Sequence, residues 1–374
     1  MKKPKYIFIF FLFIVLILSG ASCGKKEQEK KQESKLTKGT YSLEKEGVPS
    51  GGGCLKVSGE GKIIYFFDAD KDEKTDSLVV SDAMGKDKKT IKIKGGLLKQ
   101  DIQIDVGSLA VSDSGKKIVF SATPSCERDE YSCPKYLYIL DPDSEKLIKV
   151  KNQDLSEKIK GAGWADPIKT SLTPDGEKIV FTVRFWGIDF GSAYDISAGL
   201  AVVNSDGSGL ELIKEGKNIN TYYLAVDDSQ LIFYLKKEAE KFEHILNRIN
   251  SDGSGEKSLG IKVSPGDISA SRNGRIAGLL DEKDEPVFVC DFEGNIIAKG
   301  GNPWGVVEIS GNGEKVLAAE WNKGLVFYQT DNNFEKEQVL ESSYGNCAVH
   351  GVSNNGKVSA CLVYKTGELL SIIK

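Results

Sequence analysis

One short phrase recurs along this chain of 374 residues and constrains its fold more than any other feature. It consists of Ser or Thr, two variable residues, Gly, and then an Ile or Val that opens an apolar run. Full copies are Ser112–Gly115–Ile118, Thr173–Gly176–Ile179 and Ser310–Gly313–Val316. Ser58–Gly61–Ile63 and Ser353–Gly356–Val358 are one residue short. Ala270–Gly274–Ile276 is looser, and Val226–Ser229–Leu231 is degenerate, with Ser229 in the place of glycine. Recurrence at about 40–60 residues is the period of one supersecondary unit that cannot bury its apolar face alone and must stack on its neighbours.

The third unit shows the internal grammar. Strand-like runs are expected near Ile168–Leu172, Lys178–Val183, Gly199–Asn204 and Leu210–Ile213, joined by Thr173–Pro174–Asp175–Gly176 and Ser205–Asp206–Gly207–Ser208–Gly209. Asp and Gly supply the local hydrogen bonds and positive φ that tight hairpins need. The fourth unit repeats the second turn as Ser251–Asp252–Gly253–Ser254–Gly255. Four antiparallel strands per unit, rich in Val, Ile, Phe and Tyr, describe a propeller blade. Seven units between residues 54 and 374, roughly 46 residues each, predict an all-β, seven-bladed β-propeller, with six or eight blades as alternatives. The last unit shows three strands (Cys347–Val352, Lys357–Tyr364, Glu368–Lys374), which would leave a bare edge. Thr40–Glu46 alternates as a strand does and is expected to fill that position and close the ring. Residues 236–246 have a helix-like composition but fall between two strands, so an insertion or an extended hairpin is expected.

The N-terminus addresses location. Lys2, Lys3 and Lys5 precede an apolar run from Tyr6 to Leu18, then Ser19, Gly20, Ala21, Ser22 and Cys23. The run is too short to be taken first as a spanning helix and has the form of an export signal over residues 1–23. Cysteine after small residues resembles a bacterial lipoprotein processing site, which implies lipidation of Cys23 and an exported protein anchored to the membrane of the cell envelope, in the periplasm or at the outer membrane. Gly20 departs from that pattern, which prefers leucine three residues before the cysteine; cleavage after Ala21 is the rival. Residues 24–39 are charged, poor in apolar side chains, and expected to form a tether. Without residues 1–23 the chain carries 47 basic and 54 acidic residues, a charge of −7 that argues against a nucleic-acid partner.

Six further cysteines suit disulfides in an exported chain. Cys126 and Cys133 share one insertion, and Cys347 and Cys361 flank the Asn354–Gly356 turn; these are the disulfide candidates, while Cys54 and Cys290 have no evident geometry. No Cys-x-x-Cys occurs and there are two histidines, His244 and His350, so a transition-metal site has little support. Asp68, Asp70, Asp72 and Asp76 alternate before a strand and resemble the calcium loops of integrin-type propellers, although Glu73 stands where glycine makes the sharp bend. Calcium is therefore the one cofactor considered, against a solvated acidic hairpin.

Loop length is uneven. Within a blade, turns between the first and second and between the third and fourth strands lie on one face of the disc, and the other connections lie on the opposite face. The short connections are all of the first kind. Asp68–Asp76, Thr123–Lys135, Arg184–Ala198, Lys236–His244, Asn152–Pro167 and Lys299–Gly305 are of the second. Long loops on rigid scaffolds carry function. This face also gathers aromatic residues: Trp164, Phe185, Trp186, Phe190, Tyr194, Trp304, Trp321 and Tyr344 are the ligand-face candidates, with packing between blades as the competing role. The one Gly-x-Ser-x-Gly match straddles the signal cleavage site, and neither a phosphate loop nor a dinucleotide fingerprint is present. Acidic residues are abundant, but no catalytic pair stands out.

The phrases Leu172–Thr173–Pro174–Asp175–Gly176–Glu177–Lys178–Ile179–Val180–Phe181 and Asn204–Ser205–Asp206–Gly207–Ser208–Gly209 resemble the repeats of TolB-type and WD-repeat-like propellers, and of the propeller parts of prolyl-oligopeptidase-like and tricorn-type peptidases. The likeness covers about residues 54–374. It implies a non-catalytic module that binds an envelope protein or peptide, as a monomer. Neither the α/β domain of TolB nor the hydrolase domain of the peptidases is expected beside this propeller. The alternative is a propeller enzyme, a hydrolase or lyase acting on glycans or lactones through channel carboxylates. An aromatic channel mouth would favour the binder and a carboxylate-lined mouth the enzyme.

Overall fold

The computed structural model describes residues 39–374, apart from 46–47, 49–54, 69–75, 99–101, 125–132, 190–191, 239–242, 265–267, 283–285, 302, 321–323, 332–333, 341–346 and 364–367. The export signal, Cys23, nearly all of the tether, and the candidate positions Asp70, Asp72, Cys126, Phe190, Trp321 and Tyr344 lie outside the described residues.

Seven four-stranded antiparallel sheets form the seven blades of a β-propeller. Strand β1 (Thr40–Glu44) belongs to the last of them. Blade 1 contains β2 (Leu55–Val57), β3 (Ile63–Phe67), β4 (Ser77–Ser81) and β5 (Lys89–Lys92). Blade 2 contains β6 (Ile102–Val111), β7 (Ile118–Pro124), β8 (Tyr136–Asp141) and β9 (Lys146–Lys149). Blade 3 contains β10 (Trp164–Leu172), β11 (Lys178–Asp189), β12 (Ser192–Asn204) and β13 (Glu211–Glu215). Blade 4 contains β14 (Ile219–Val226), β15 (Leu231–Lys237), β16 (His244–Asn250) and β17 (Lys257–Val263). Blade 5 contains β18 (Ser269–Ala270), β19 (Ile276–Leu279), β20 (Val287–Cys290) and β21 (Ile296–Gly300). Blade 6 contains β22 (Pro303–Ile309), β23 (Lys315–Glu320), β24 (Gly324–Gln329) and β25 (Lys336–Leu340). Blade 7 contains β26 (Cys347–Val352), β27 (Val358–Val363), β28 (Glu368–Ile373) and, outermost, β1. The ring closes as expected: Thr40 stands opposite Ile372 and Ser42 opposite Leu370, and Ile373 N–H donates to the Gly39 carbonyl at 2.7 Å.

The recurring phrase has a simple physical cause. In six blades its Ser or Thr (Ser271 in blade 5) is buried, and its side-chain oxygen accepts a backbone N–H one or two residues after the glycine. The donors are Lys62, Lys117, Lys178, Arg275, Lys315 and Val358, at 2.9–3.1 Å. Blade 4 does the same with a carboxylate: Leu231 N–H donates to Asp227 Oδ1 at 2.8 Å. The glycine takes positive φ, for example 75° at Gly176. The structure corrects the degenerate copy. Gln230, with φ 61°, occupies the glycine position rather than Ser229, so that turn is Asp227–Asp228–Ser229–Gln230.

The core lies between blades. Seven clusters of buried apolar side chains fill the seven seams, such as Val119, Leu137, Phe181 and Val183 between blades 2 and 3. One of the long connections is also corrected. Most of Arg184–Ala198 is strand, because β11 and β12 run on as a paired hairpin to Asp189 and Ser192. The helix-like stretch is flanked by paired strand, Lys237 opposite His244, as the hairpin expectation has it. Residues 152–158 form a 3-10 helix before β10.

Candidate functional site

The inner strands of all seven blades, with their turns, surround a cavity of about 180 Å³ on the propeller axis. Its polar side chains link blades that are not neighbours. Lys56 of blade 1 pairs with Glu308 of blade 6 at 3.0 Å, and Glu308 also accepts the Ser269 hydroxyl of blade 5 at 3.0 Å. Arg272 of blade 5 pairs with Asp113 of blade 2, which also accepts Asn354 Nδ2 of blade 7 at 3.2 Å. Asp113, Arg272 and Asn354 are second residues of the recurring turns, at the short-turn end, whereas Lys56, Glu308 and Ser269 lie on the inner strands just before those turns.

Backbone bonds tie the same turns into a ring. Glu60 donates to Asp113, Asp113 to Pro174, Asp228 to Arg272, Arg272 to Gly311, Asn312 to Asn354, and Asn354 to Gly59, at 2.9–3.3 Å. The pattern stops between blades 3 and 4 because Pro174 has no N–H to donate. The channel end is thus polar rather than aromatic, and its two carboxylates are engaged by cations. Glu308→Ala, which leaves Lys56 and Ser269 without their shared acceptor, is expected to lower stability by about 1 kcal/mol in urea titration. An unchanged midpoint would mean that the cross-channel link does not form in solution.

The long-loop end of blades 3 and 4 differs. Trp164 opens β10 and stands opposite Trp186 on β11. Their rings stack with centroids 6.4 Å apart and planes 20° apart. Alternation along β11 places Arg184 and Ile188 on the same face as Trp186. The Arg184 guanidinium lies 5.6 Å from the Trp186 ring centroid and 5.3 Å from that of Tyr222 on β14. It also donates to Thr221 Oγ1 at 2.9 Å and lies 3.4 Å from Asp195 Oδ2. This ladder of two tryptophans, an arginine and a tyrosine runs from buried Trp164 to Tyr222, which is 54 % exposed. Tyr194 lies on the opposite face of the hairpin, its ring across Gly187, where a Cβ would come within 2.8 Å of it. Ile188 is 60 % exposed and Tyr194 47 %.

Asp166 anchors the buried end of the ladder. Its Oδ1 accepts the Lys135 N–H from blade 2 at 2.8 Å, and its Oδ2 accepts Trp164 Nε1 at 3.3 Å. The Trp186 indole faces the same carboxyl, but its Nε1 makes no hydrogen bond. Burial pushes Asp166 up to about 6, against the opposing pull of its hydrogen bonds and of Lys135. Beside it, Asn152 Nδ2 donates to the Lys135 and Ala165 carbonyls at 3.0 and 2.8 Å, so the blade 2–3 seam is pinned by polar bonds at this end.

The remaining candidates are placed as follows. Phe185 is fully buried in the blade 2–3 core and offers no surface. Trp304 lies on β22, and its side chain is outside the described residues. Tyr222, Ile188 and Arg184 were not singled out from sequence, although Arg184 and Ile188 sit on a connection already marked as long; Tyr222 lies on β14. Asp68 and Asp76 are buried at the ends of β3 and β4. Among the described residues no group of three or more His, Cys, Asp or Glu is arranged to hold a metal. Cys133 and Cys361 are disulfide-bonded. Cys290 is a buried free thiol, pushed up to about 12 mainly by burial. His244 lies on β16 with Nδ1 buried and unbonded, and burial holds its pKa below the usual value. His350 lies on β26, its side chain outside the described residues.

Comparison with known proteins supports the fold. No family model matches the chain, and no curated protein matches it. Among solved structures, oligogalacturonate lyase from Vibrio parahaemolyticus superposes with a TM-score of 0.61 at 10 % identity, covering 90 % of this chain and 93 % of the lyase. The β-propeller domain of the trilobed protease from Pyrococcus furiosus, described as having an open velcro topology, gives 0.53 at 13 % identity, covering 85 % and 93 %. Here β1 closes the ring. TolB from Acinetobacter baumannii gives 0.40 at 17 % identity, covering 70 % of this chain and 58 % of TolB, too low a similarity to carry an argument. Enzymes and binding proteins share this fold, and fold alone assigns neither role.

Proposed function

We propose that this protein is a non-catalytic binding scaffold of the bacterial cell envelope, held to the membrane through Cys23, which takes a protein or peptide partner on the long-loop face of its propeller. The observation that carries this reading is the exposed set Ile188, Tyr194 and Tyr222 on and beside one projecting hairpin. The cation–π ladder backs it, with Arg184 set between the rings of Trp186 and Tyr222. Exposed apolar and aromatic groups on a pre-organised support are the usual anchors of protein recognition.

The glycan or lactone enzyme is the weaker reading. Glu308 and Asp113 are the carboxylates at the channel end, and each is tied to a cation from another blade. Acid–base work needs a carboxylate within reach of a substrate proton. The test is crosslinking in native membranes, comparing the wild-type chain with one carrying Ile188→Ser, Tyr194→Ser and Tyr222→Ala. These side chains are exposed, so folding is expected to survive. Crosslinked partner is expected to fall by about tenfold or more. Equal yield from a folded variant would remove the reading.

A further inference from the structure

We propose that the outer edge of β12, from Ser192 to Ala198, binds its partner by strand addition, and that the partner contributes an extended segment in which basic and apolar residues alternate. This inference rests on the reading of the long-loop face as a binding surface and specifies how it binds.

The edge arises from unequal strand lengths. β12 pairs with β11 along its whole length, Ser192 to Asn204. On its other side β13 pairs with it only over Gly199–Val202, and Gly216 N–H closes that ladder on the Ala198 carbonyl at 2.9 Å. Beyond this point, among the described residues, no strand pairs with the outer side of β12. The unpaired side of β11, Gly187 to Asp189, is shorter. An open strand edge presents a row of unpaired N–H and C=O groups, which is a template for another chain.

Proteins guard such edges with charges, bulges or polar cover. This edge has a bulge, since Ile196 falls between the pairs Trp186–Asp195 and Phe185–Ser197. It is also flanked by Ile188 and Tyr194, two of the most exposed large apolar side chains described. The bulge and the nearby acids discourage pairing with a like edge, while these two side chains stay available to a different partner. Side chains of an added strand would fall alternately beside Tyr194 on one face and beside Ile188 and the Arg184–Trp186 row on the other.

Charge identifies the occupant. Asp189, Asp195 and Glu215 outnumber Arg184 and Lys217 around the edge. A second copy pairing edge to edge would set these acids against themselves, whereas a basic strand would meet them.

The test uses the whole chain and a capped peptide of alternating lysine and valine as long as the edge. Two control peptides accompany it, one N-methylated at alternate residues and one with glutamate for lysine. Hydrogen exchange of amides 192–198 is expected to slow about tenfold or more with the lysine peptide and with neither control. Asp195→Lys is expected to weaken the lysine peptide about fivefold or more.

Several results would overturn the proposal. They are unslowed exchange at millimolar peptide, equal slowing by the N-methylated peptide, or slowing that maps to the short-turn face. So would concentration-dependent slowing without peptide together with a dimer in sedimentation, because the occupant would then be a second copy. If the peptide is inert while the triple variant still loses its crosslinked partner, strand addition alone falls. If the triple variant keeps its partner, the reading of the face falls with it.

Discussion

Deleting residues 39–45 is expected to lower the melting temperature by roughly 10 °C or more. β1 is the outer strand of blade 7, and no other described segment pairs with that edge of β28. Its removal breaks a backbone ladder and pulls Leu43 from the seam between blades 7 and 1. It also removes Glu44, which pairs with Lys88 at 2.5 Å and accepts Tyr65 Oη at 3.4 Å. A few backbone hydrogen bonds at about 1 kcal/mol each, plus the lost apolar burial, amount to a cost on the order of 5 kcal/mol. The edge left behind, with Leu369, Leu370 and Ile372 beside it, becomes a site for aggregation. A synthetic peptide of residues 39–45 added in trans is expected to recover part of the loss. Calorimetry of the full and shortened chains checks both statements, and superimposable melting curves would show that β1 does not hold the ring together.

Asp166→Asn is expected to make the protein more stable at pH 7.5, by about 2 kcal/mol, and slightly less stable at pH 4. The sign follows from proton linkage. The folded protein raises this carboxyl from 3.8 to about 6, so it binds a proton more tightly than the unfolded chain does. Stability contributed by the site is complete below the unfolded value, falls as pH rises between roughly 4 and 6, and stays lost above. A shift of about two pH units corresponds to about 3 kcal/mol. Asparagine removes the buried charge and keeps an acceptor for Lys135, but its amide faces Trp164 Nε1 donor to donor, which returns about 1 kcal/mol. Urea unfolding between pH 4 and 8 tests this: the wild-type curve should drop across pH 4–6 more steeply than that of the variant. Parallel curves would place the Asp166 carboxyl near its ordinary value. A charge kept at a cost to stability, beneath an exposed aromatic ladder, is a pattern of functional sites.

Much of the architecture was legible in the sequence because it is local. A Ser or Thr that caps the next strand and a glycine in positive φ are separated by three residues, so their chemistry is visible as a phrase. Blade count, strand content and the role of Thr40–Glu44 followed from repeating that phrase and noting the missing strand. Where local chemistry was replaced by an equivalent, the phrase misled: Asp227 caps as serine does and Gln230 accepts the glycine conformation, so the fourth copy was read one residue out of register. The helix-like composition of residues 236–246 was overridden by pairing between β15 and β16.

The candidate site was legible only in outline. Sequence marked the long connections and their aromatic residues but could not divide them into core and surface. Phe185 and Trp186 are adjacent in the chain, yet strand alternation sends one into the seam and leaves the other in the ladder with Arg184. Sequence alone determined the repeating hairpin, the number of blades and which end bears the long connections, since each depends on contacts within a few residues. Only the tertiary structure decided that Lys56 meets Glu308, that Arg184 lies between Trp186 and Tyr222, and that one edge of β12 stays open. Those contacts join residues tens to hundreds of positions apart, and closing the ring, rather than any local preference, brings them together.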